Sequence, residues 1–466
     1  MQATDLADCS ATQLLQLYRS RQASPLEATQ AALARIHQHN PVLRALCFVA
    51  EEDALASAQA STARWHKGQP AGVLDGVPAT IKDLILCKGW PTLRGSRTVD
   101  PHQAWDTDAP ASAHLREAGA VLLGKTATPE FGCKAETNSP LNGITRNPWD
   151  TSKTPGGSSG GTAAAVASGM GPISVGTDGA GSVRIPAAFC GNFGLKPSFG
   201  RVPAHPLSPF GTVAHLGPHT MSVADAGLML NVLSLPDARD WTALPYDARD
   251  YTVGLNDGVR GLRIAWSPTL GHATVDGEVA AACARGVAKL AELGAVVEAV
   301  DPGFEDPIDI ATGLWFLGAW TVWNNLTPHQ QGVADPDFVA QAQAGSTLSA
   351  LDVQQLHMRR GALGSLMRQF MQRFDVLVTP SVAIPAFDAR PAGHSVMDAQ
   401  ALLGWTPFSY PFNLTQQPAC SFPCGLTAGG LPIGLQIVGP MFGDALVLRV
   451  ARAFESAMPI PRPTLR

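Results

Sequence analysis

The chain has no run of five or more lysines and arginines, and its 33 basic residues are outweighed by 38 acidic ones for a net charge of −5. That balance argues against nucleic acid or an anionic membrane as the main partner. No uninterrupted apolar stretch approaches the ~18 residues of a membrane span. Asp5 and Asp8 stand where a secretory signal would be basic and then apolar. A cytoplasmic protein with no membrane association is expected. The H-E-x-x-H pattern and clustered His/Asp sets are missing, and Cys420 and Cys424 have no second pair nearby to complete a zinc site. No metal and no other cofactor is expected, and the 8 cysteines are read as reduced, buried thiols. Repeats of 20–50 residues and low-complexity tracts are also absent.

What remains is ordinary for a globular enzyme: 466 residues, 45% of them hydrophobic and 15% charged. Helix-start signals open the chain. Ser10 and Gln13 have capping-box spacing, and Ser24, Pro25 and Glu27 supply a cap, a first-turn proline and a capping glutamate. Helix and strand then alternate. Ala111 to Ala118 reads as a helix before the apolar strand Val121 to Leu123, and Glu278 to Leu293 as a helix before the strand Ala295 to Val300. Residues 236–260, rich in Asp, Pro and Gly, read as a surface excursion. About 311–374 is mainly helical, followed by a strand at Asp375 to Thr379. The predicted fold is α/β, one domain over 1–466 with an N-terminal helical segment to about 70 packed on it.

Residues 154–200 differ in kind, with glycine so dense that the backbone must adopt unusual dihedrals or approach a ligand closely. Two serines lie in glycine cradles, Ser158 in 156–161 and Ser182 in 179–182. Gly156 to Gly160 satisfies G-x-S-x-G, but the segment before it is polar and closed by Pro155, where a nucleophile elbow needs a strand. Gly119 to Thr126 spells G-x-x-x-x-G-K-T, yet its inner residues form an apolar strand, not a phosphate loop. Gly169-Met-Gly171 lacks the third glycine of a dinucleotide fingerprint. None of the 12 histidines falls in the stretch. A serine hydroxyl without histidine needs another base, such as a lysine held neutral by burial. Lys82 follows the apolar Gly76 to Ile81, so it either points inward or lies on a strand edge.

The motifs G-V-P-x-x-I-K-D (76–83), L-G-K-T-x-x-P-E-F (123–131), P-G-G-S-S-G-G (155–161), G-T-D-x-x-G-S-V-R-I-P-A (176–187) and G-L-K-P-S (194–198) resemble those of the amidase signature family. Weaker similarity continues to Gln436. The resemblance implies a large mixed, mostly parallel, twisted β-sheet with helices on both faces. It implies a triad in which Ser182 attacks a carbonyl, a cis-bonded Ser158 relays protons and Lys82 is the base. Backbone N–H groups of Gly179, Ala180, Gly181 and Ser182 would form the oxyanion hole, with Ala180 standing where the family usually has glycine. Ser159 would support Lys82, and Asp178 and Arg184 would hold the loop. The implied substrate is a small-molecule amide, ester or carbamate, and the active form a monomer or homodimer. The family also includes the amidase subunit of a tRNA-dependent amidotransferase, which is the competing role. Trp315, Phe316, Trp320 and Phe408, in two aromatic-rich segments, are candidate pocket walls if the hydrophobic core does not claim them.

Overall fold

The computed structural model describes residues 5–393, 402–459 and 461–465. Its strands are β1 Leu46–Val49, β2 Pro78–Lys82, β3 Val121–Thr126, β4 Asn138–Ser139, β5 Gly143–Ile144, β6 Ile173–Asp178 and β7 Phe193–Lys196. They continue as β8 His215–Thr220, β9 Arg263–Trp266, β10 Val296–Ala299, β11 Val376–Pro380, β12 Ala419–Leu426 and β13 Pro432–Val438. Eleven strands form one sheet in the order β1-β3-β2-β6-β8-β7-β12-β13-β11-β9-β10, and β4 and β5 make a separate pair. The sheet is mixed. Parallel pairs β3/β2/β6 and β11/β9/β10 lie toward its two ends, and the strands between them are antiparallel.

Alternate residues along the strands enter different cores, which explains why the strands read as continuous apolar runs. Val376 and Val378 join the core containing Val279, Leu290, Val447 and Phe454, whereas Leu377 joins the one containing Leu314, Phe338 and Met367. Helices therefore cover both faces. Both capping boxes form, at Ser10 and Ser24. The predicted helix at 278–293 runs over Gly277–Glu292, and no helix or strand interrupts 236–260.

The segment before residue 70 is not wholly helical. Its β1 pairs antiparallel with β3 at the sheet edge. Its first helix, Ala11–Arg19, is tied down by the Asp225 carboxylate, which accepts the N–H groups of Ala11 and Thr12, each at 2.9 Å. Among the described residues no helix is long and apolar enough to cross a membrane.

The parallel pairing of β2 with β6 positions the site. Ile81 lies opposite Val175, so Lys82 at the end of β2 comes beside the end of β6. Ligands in α/β sheets gather at the carboxyl ends of parallel strands, where loops diverge.

Candidate active site

Lys82 points inward. All five residues of β2 are buried, and Lys82 Nζ reaches three hydroxyls: Ser158 Oγ at 2.7 Å, Ser159 Oγ at 2.8 Å and Thr177 Oγ1 at 2.8 Å. Burial drives its pKa well below the ordinary 10.5, with the Asp178 charge opposing more weakly. A buried amine surrounded by neutral hydroxyls favours the uncharged form. Thr177 was not singled out by sequence reasoning, although its position at the end of β6 beside β2 would have indicated it. The Gly157–Ser158 peptide is cis. Ser159 also accepts the Thr177 N–H at 3.2 Å and donates to the Thr177 carbonyl at 3.1 Å, locking the cradle onto β6.

The turn 179–182 is built around Asp178. Arg184 grips its carboxylate with two bonds of 3.0 Å, both side chains being fully buried. Burial alone would raise the Asp178 pKa, but the charge and hydrogen bonds of Arg184, joined by Lys196 and Asn413, together outweigh it and hold the carboxyl far below the usual range. Asn413 donates to Asp178 Oδ1 at 2.8 Å, while Arg184 extends to Gln436 Oε1 at 2.8 Å and Asn413 Oδ1 at 2.6 Å. The pair is therefore an internal brace and not a surface ion pair.

That brace corrects the expected set of oxyanion donors. The Gly181 N–H is committed to Asp178 Oδ1 at 2.8 Å. Among the described residues, the N–H groups of Gly179, Ala180 and Ser182 have no protein partner. Positive φ in this turn falls on Gly181, at 116°, and not on Ala180. Alanine is thus accommodated at position 180 without left-handed strain.

The family model for amidase matches residues 27–448. The chain belongs to the amidase signature family. It is 38% identical to an acylamidase of Rhodococcus erythropolis over 97% of this chain and 95% of the relative. It is 36% identical to a glutamyl-tRNA(Gln) amidotransferase subunit of Myxococcus xanthus over 98% of both chains. Among solved structures, a bacterial aryl acylamidase superposes with a TM-score of 0.90 at 31% identity, covering 97% of this chain and 96% of that one. A 6-aminohexanoate cyclic dimer hydrolase also superposes with a TM-score of 0.90, at 29% identity over 99% and 100% of the two chains. The protein is an amidohydrolase acting on C–N bonds other than peptide bonds.

Ser158 and Ser182 of this amidase open into a cavity of about 270 Å³ whose wall is mainly apolar, including Leu84, Ile85, Phe131, Val202, Phe210 and Trp315. Of the four aromatic candidates, Trp315 alone borders it. A Cβ on Gly179 would lie 2.6 Å from the Trp315 ring, so this glycine makes room for the indole. Trp315 stacks on Phe210 with centroids 4.0 Å apart, and its indole N–H donates to the Cys133 carbonyl at 3.0 Å. Phe408 is fully buried in the core, and Phe316 and Trp320 are half-buried away from the cavity. Helical spacing puts Phe316 and Trp320 on other faces than Trp315. Much of the rest of the wall comes from residues between 198 and 216 and from Asp240, Trp241 and Thr242, so the excursion at 236–260 contributes to the site.

Further buried lysines lie outside this cluster. Lys125, in the segment that mimics a phosphate loop, donates to Thr92 Oγ1 at 2.8 Å and to the Ile85 carbonyl, which accounts for it as a structural residue. Lys196 donates to the Gln417 carbonyl, and its neighbour His215 borders the cavity but directs Nδ1 to the Val213 carbonyl at 2.8 Å. Burial holds His215 well below the ordinary imidazole pKa.

Proposed function

We propose that this amidase cleaves aryl amides through an acyl-enzyme on Ser182. The observation that carries the reading is Lys82, fully buried and within 2.8 Å of three hydroxyls, one of them Ser158 in the cavity that also receives Ser182. Neutral Lys82 takes the Ser158 proton as Ser158 takes that of Ser182, and the Ser182 oxygen forms a bond to the substrate carbonyl carbon. The N–H groups of Gly179, Ala180 and Ser182 are the donors available to the developing oxyanion, each worth about 3–4 kcal/mol in such sites. As the C–N bond breaks, the proton returns through Ser158 to the leaving nitrogen. Water then attacks the acyl carbon by the same relay and frees the acid.

An aryl group fits the apolar wall of Phe210, Trp315 and Phe131, and the aryl acylamidase and acylamidase relatives support the choice. Esters and carbamates of similar shape present the same carbonyl. The role of an amidotransferase component is the second reading, favoured by 36% identity across nearly the whole of both chains. Hydrolysis of a chromogenic anilide by the purified chain alone decides between them, and Ser182→Ala must abolish it while leaving the fold intact. Turnover by the Ser182→Ala protein would overturn the mechanism. We further propose that the chain acts as one domain, in the cytoplasm, as a monomer or homodimer; its eight free thiols suit a reducing compartment.

A further inference from the structure

Between β2 and the helix Pro110–Glu117, the chain turns through Leu93, Arg94 and Gly95. Arg94 has φ of 57°, in the left-handed region that a residue with a side chain seldom occupies. The turn is clamped from both sides. The Asp83 carboxylate accepts the Gly95 N–H at 3.2 Å, and the Arg94 carbonyl accepts the Phe131 N–H at 2.8 Å. The direction of the Arg94 side chain is therefore set by the fold.

Among the described residues, its guanidinium has no hydrogen-bond or ion-pair partner; Asp83, the charge acting on it, makes its own ion pair with Lys125 at 4.0 Å. Arg94 is half-buried and borders two cavities. One holds Ser158 and Ser182. The other, of about 590 Å³, is bounded by Leu86, Val99, Trp105, Val322 and Leu326, and Phe131 also borders both. A partly desolvated guanidinium presents planar donors that need acceptors, and here the available space is a ligand cavity.

We infer that Arg94 is a specificity-determining residue that receives a carboxylate carried by the amide substrate, at the junction of the two cavities and apart from the scissile bond. The inference rests on the reading that the amide is cleaved at Ser182. A carboxylate fits better than a phosphate: it pairs in-plane with one guanidinium, whereas Asp100 and Asp106 in the second cavity repel a multiply charged anion. The substrate class is then an acylated aromatic amine, or a related amide, bearing one acid group.

The test compares N-acetyl-4-nitroaniline with 4-acetamidobenzoate and 3-acetamidobenzoate in the parent protein, Arg94→Met and Arg94→Lys. In Arg94→Met, the ratio of kcat/KM for the better acid to that for the neutral anilide falls about 10- to 100-fold, through KM, as loss of a hydrogen bond to a charged group implies. Arg94→Lys recovers part of that ratio. An unchanged ratio in Arg94→Met overturns the inference. Binding of both acids to the Ser182→Ala protein, followed by tryptophan fluorescence, to which Trp241, Trp315 and Trp105 on the cavity walls contribute, gives a readout that does not need turnover. At least 10-fold weaker binding in Ser182→Ala with Arg94→Met supports the assignment, and equal or undetectable binding in both refutes it. Arg94-dependent binding without hydrolysis of any anilide would support Arg94 while removing the proposed activity.

Discussion

Replacing Arg184 by methionine tests the brace beneath the turn 179–182. Arg184 and Asp178 are both fully buried, and the guanidinium supplies two of the bonds that hold the carboxylate. Without it, Asp178 keeps Asn413 and the N–H groups of Gly181 and Val183 but has lost its paired charge. Lys196 offers only limited replacement, because burial, the larger of the influences that hold its own pKa well below the ordinary value, remains when the Arg184 charge is gone. Removing one member of a buried pair costs about 3–5 kcal/mol. The pH dependence gives a sharper signature. In the parent protein the folded Asp178 pKa lies far below the unfolded 3.8, so its stabilising contribution is present above that value and is lost only in acid. In Arg184→Met the burial that raises the pKa is no longer overcome, so the folded protein holds a proton that the unfolded chain releases. Stability then falls as pH rises above the unfolded 3.8, and the deficit against the parent widens from that value upward. Urea unfolding at a series of pH values measures this. Asp178→Asn combined with Arg184→Met should recover part of the loss. A deficit under about 1 kcal/mol, or one that is flat with pH, would refute the account of the brace.

Burial lowers the Lys82 pKa well below 10.5, so with Lys82 as the proposed base the acid limb of the kcat/KM profile should lie well below pH 10.5. Lys82→Met should lower kcat about 10²- to 10⁴-fold, and a smaller loss would remove Lys82 as the base. Gly179→Ala puts a Cβ 2.6 Å from a Trp315 ring that Phe210 and the Cys133 carbonyl hold in place. A cost of about 1–3 kcal/mol and a higher KM are expected, with Trp315→Leu relieving the former in the double variant. Ala180→Gly should change kcat less than about 3-fold and cost at most about 1 kcal/mol by thermal unfolding, because positive φ falls on Gly181 instead. Burial raises the Glu130 carboxyl from 4.5 to about 7, so the fold loses up to about 3 kcal/mol as pH rises across that window. Glu130→Gln should flatten this slope in a Tm-versus-pH series.

Which parts of the site could be read from sequence follows from the distance over which each feature is determined. Capping boxes, the failed elbow context and the glycine cradles are local, and the structure shows them at the expected positions. The direction of Lys82 was not legible, because β2 is buried on both faces and offers no alternation to mark an outside. That direction is set when β6 brings Thr177 alongside, a contact made across the intervening helices. Gly181 was grouped with its neighbours as an oxyanion donor because four consecutive N–H groups look equivalent in sequence. Only the placement of Asp178 under Arg184 separates them, and Arg184 is itself placed by Asn413 and Gln436 from the far end of the chain. The cavity wall shows the same limit. Trp315 shares its helix with Phe316 and Trp320, and the face chosen depends on Gly179 having no side chain. Loop residues 198–214, Asp240 and Trp241 carry no periodic signal at all. The chemistry of the amidase is thus encoded in short motifs, whereas the shape that selects its substrate depends on long-range packing. Arg94 belongs to that second category, and its free guanidinium becomes visible only once both cavities are seen to meet beside it.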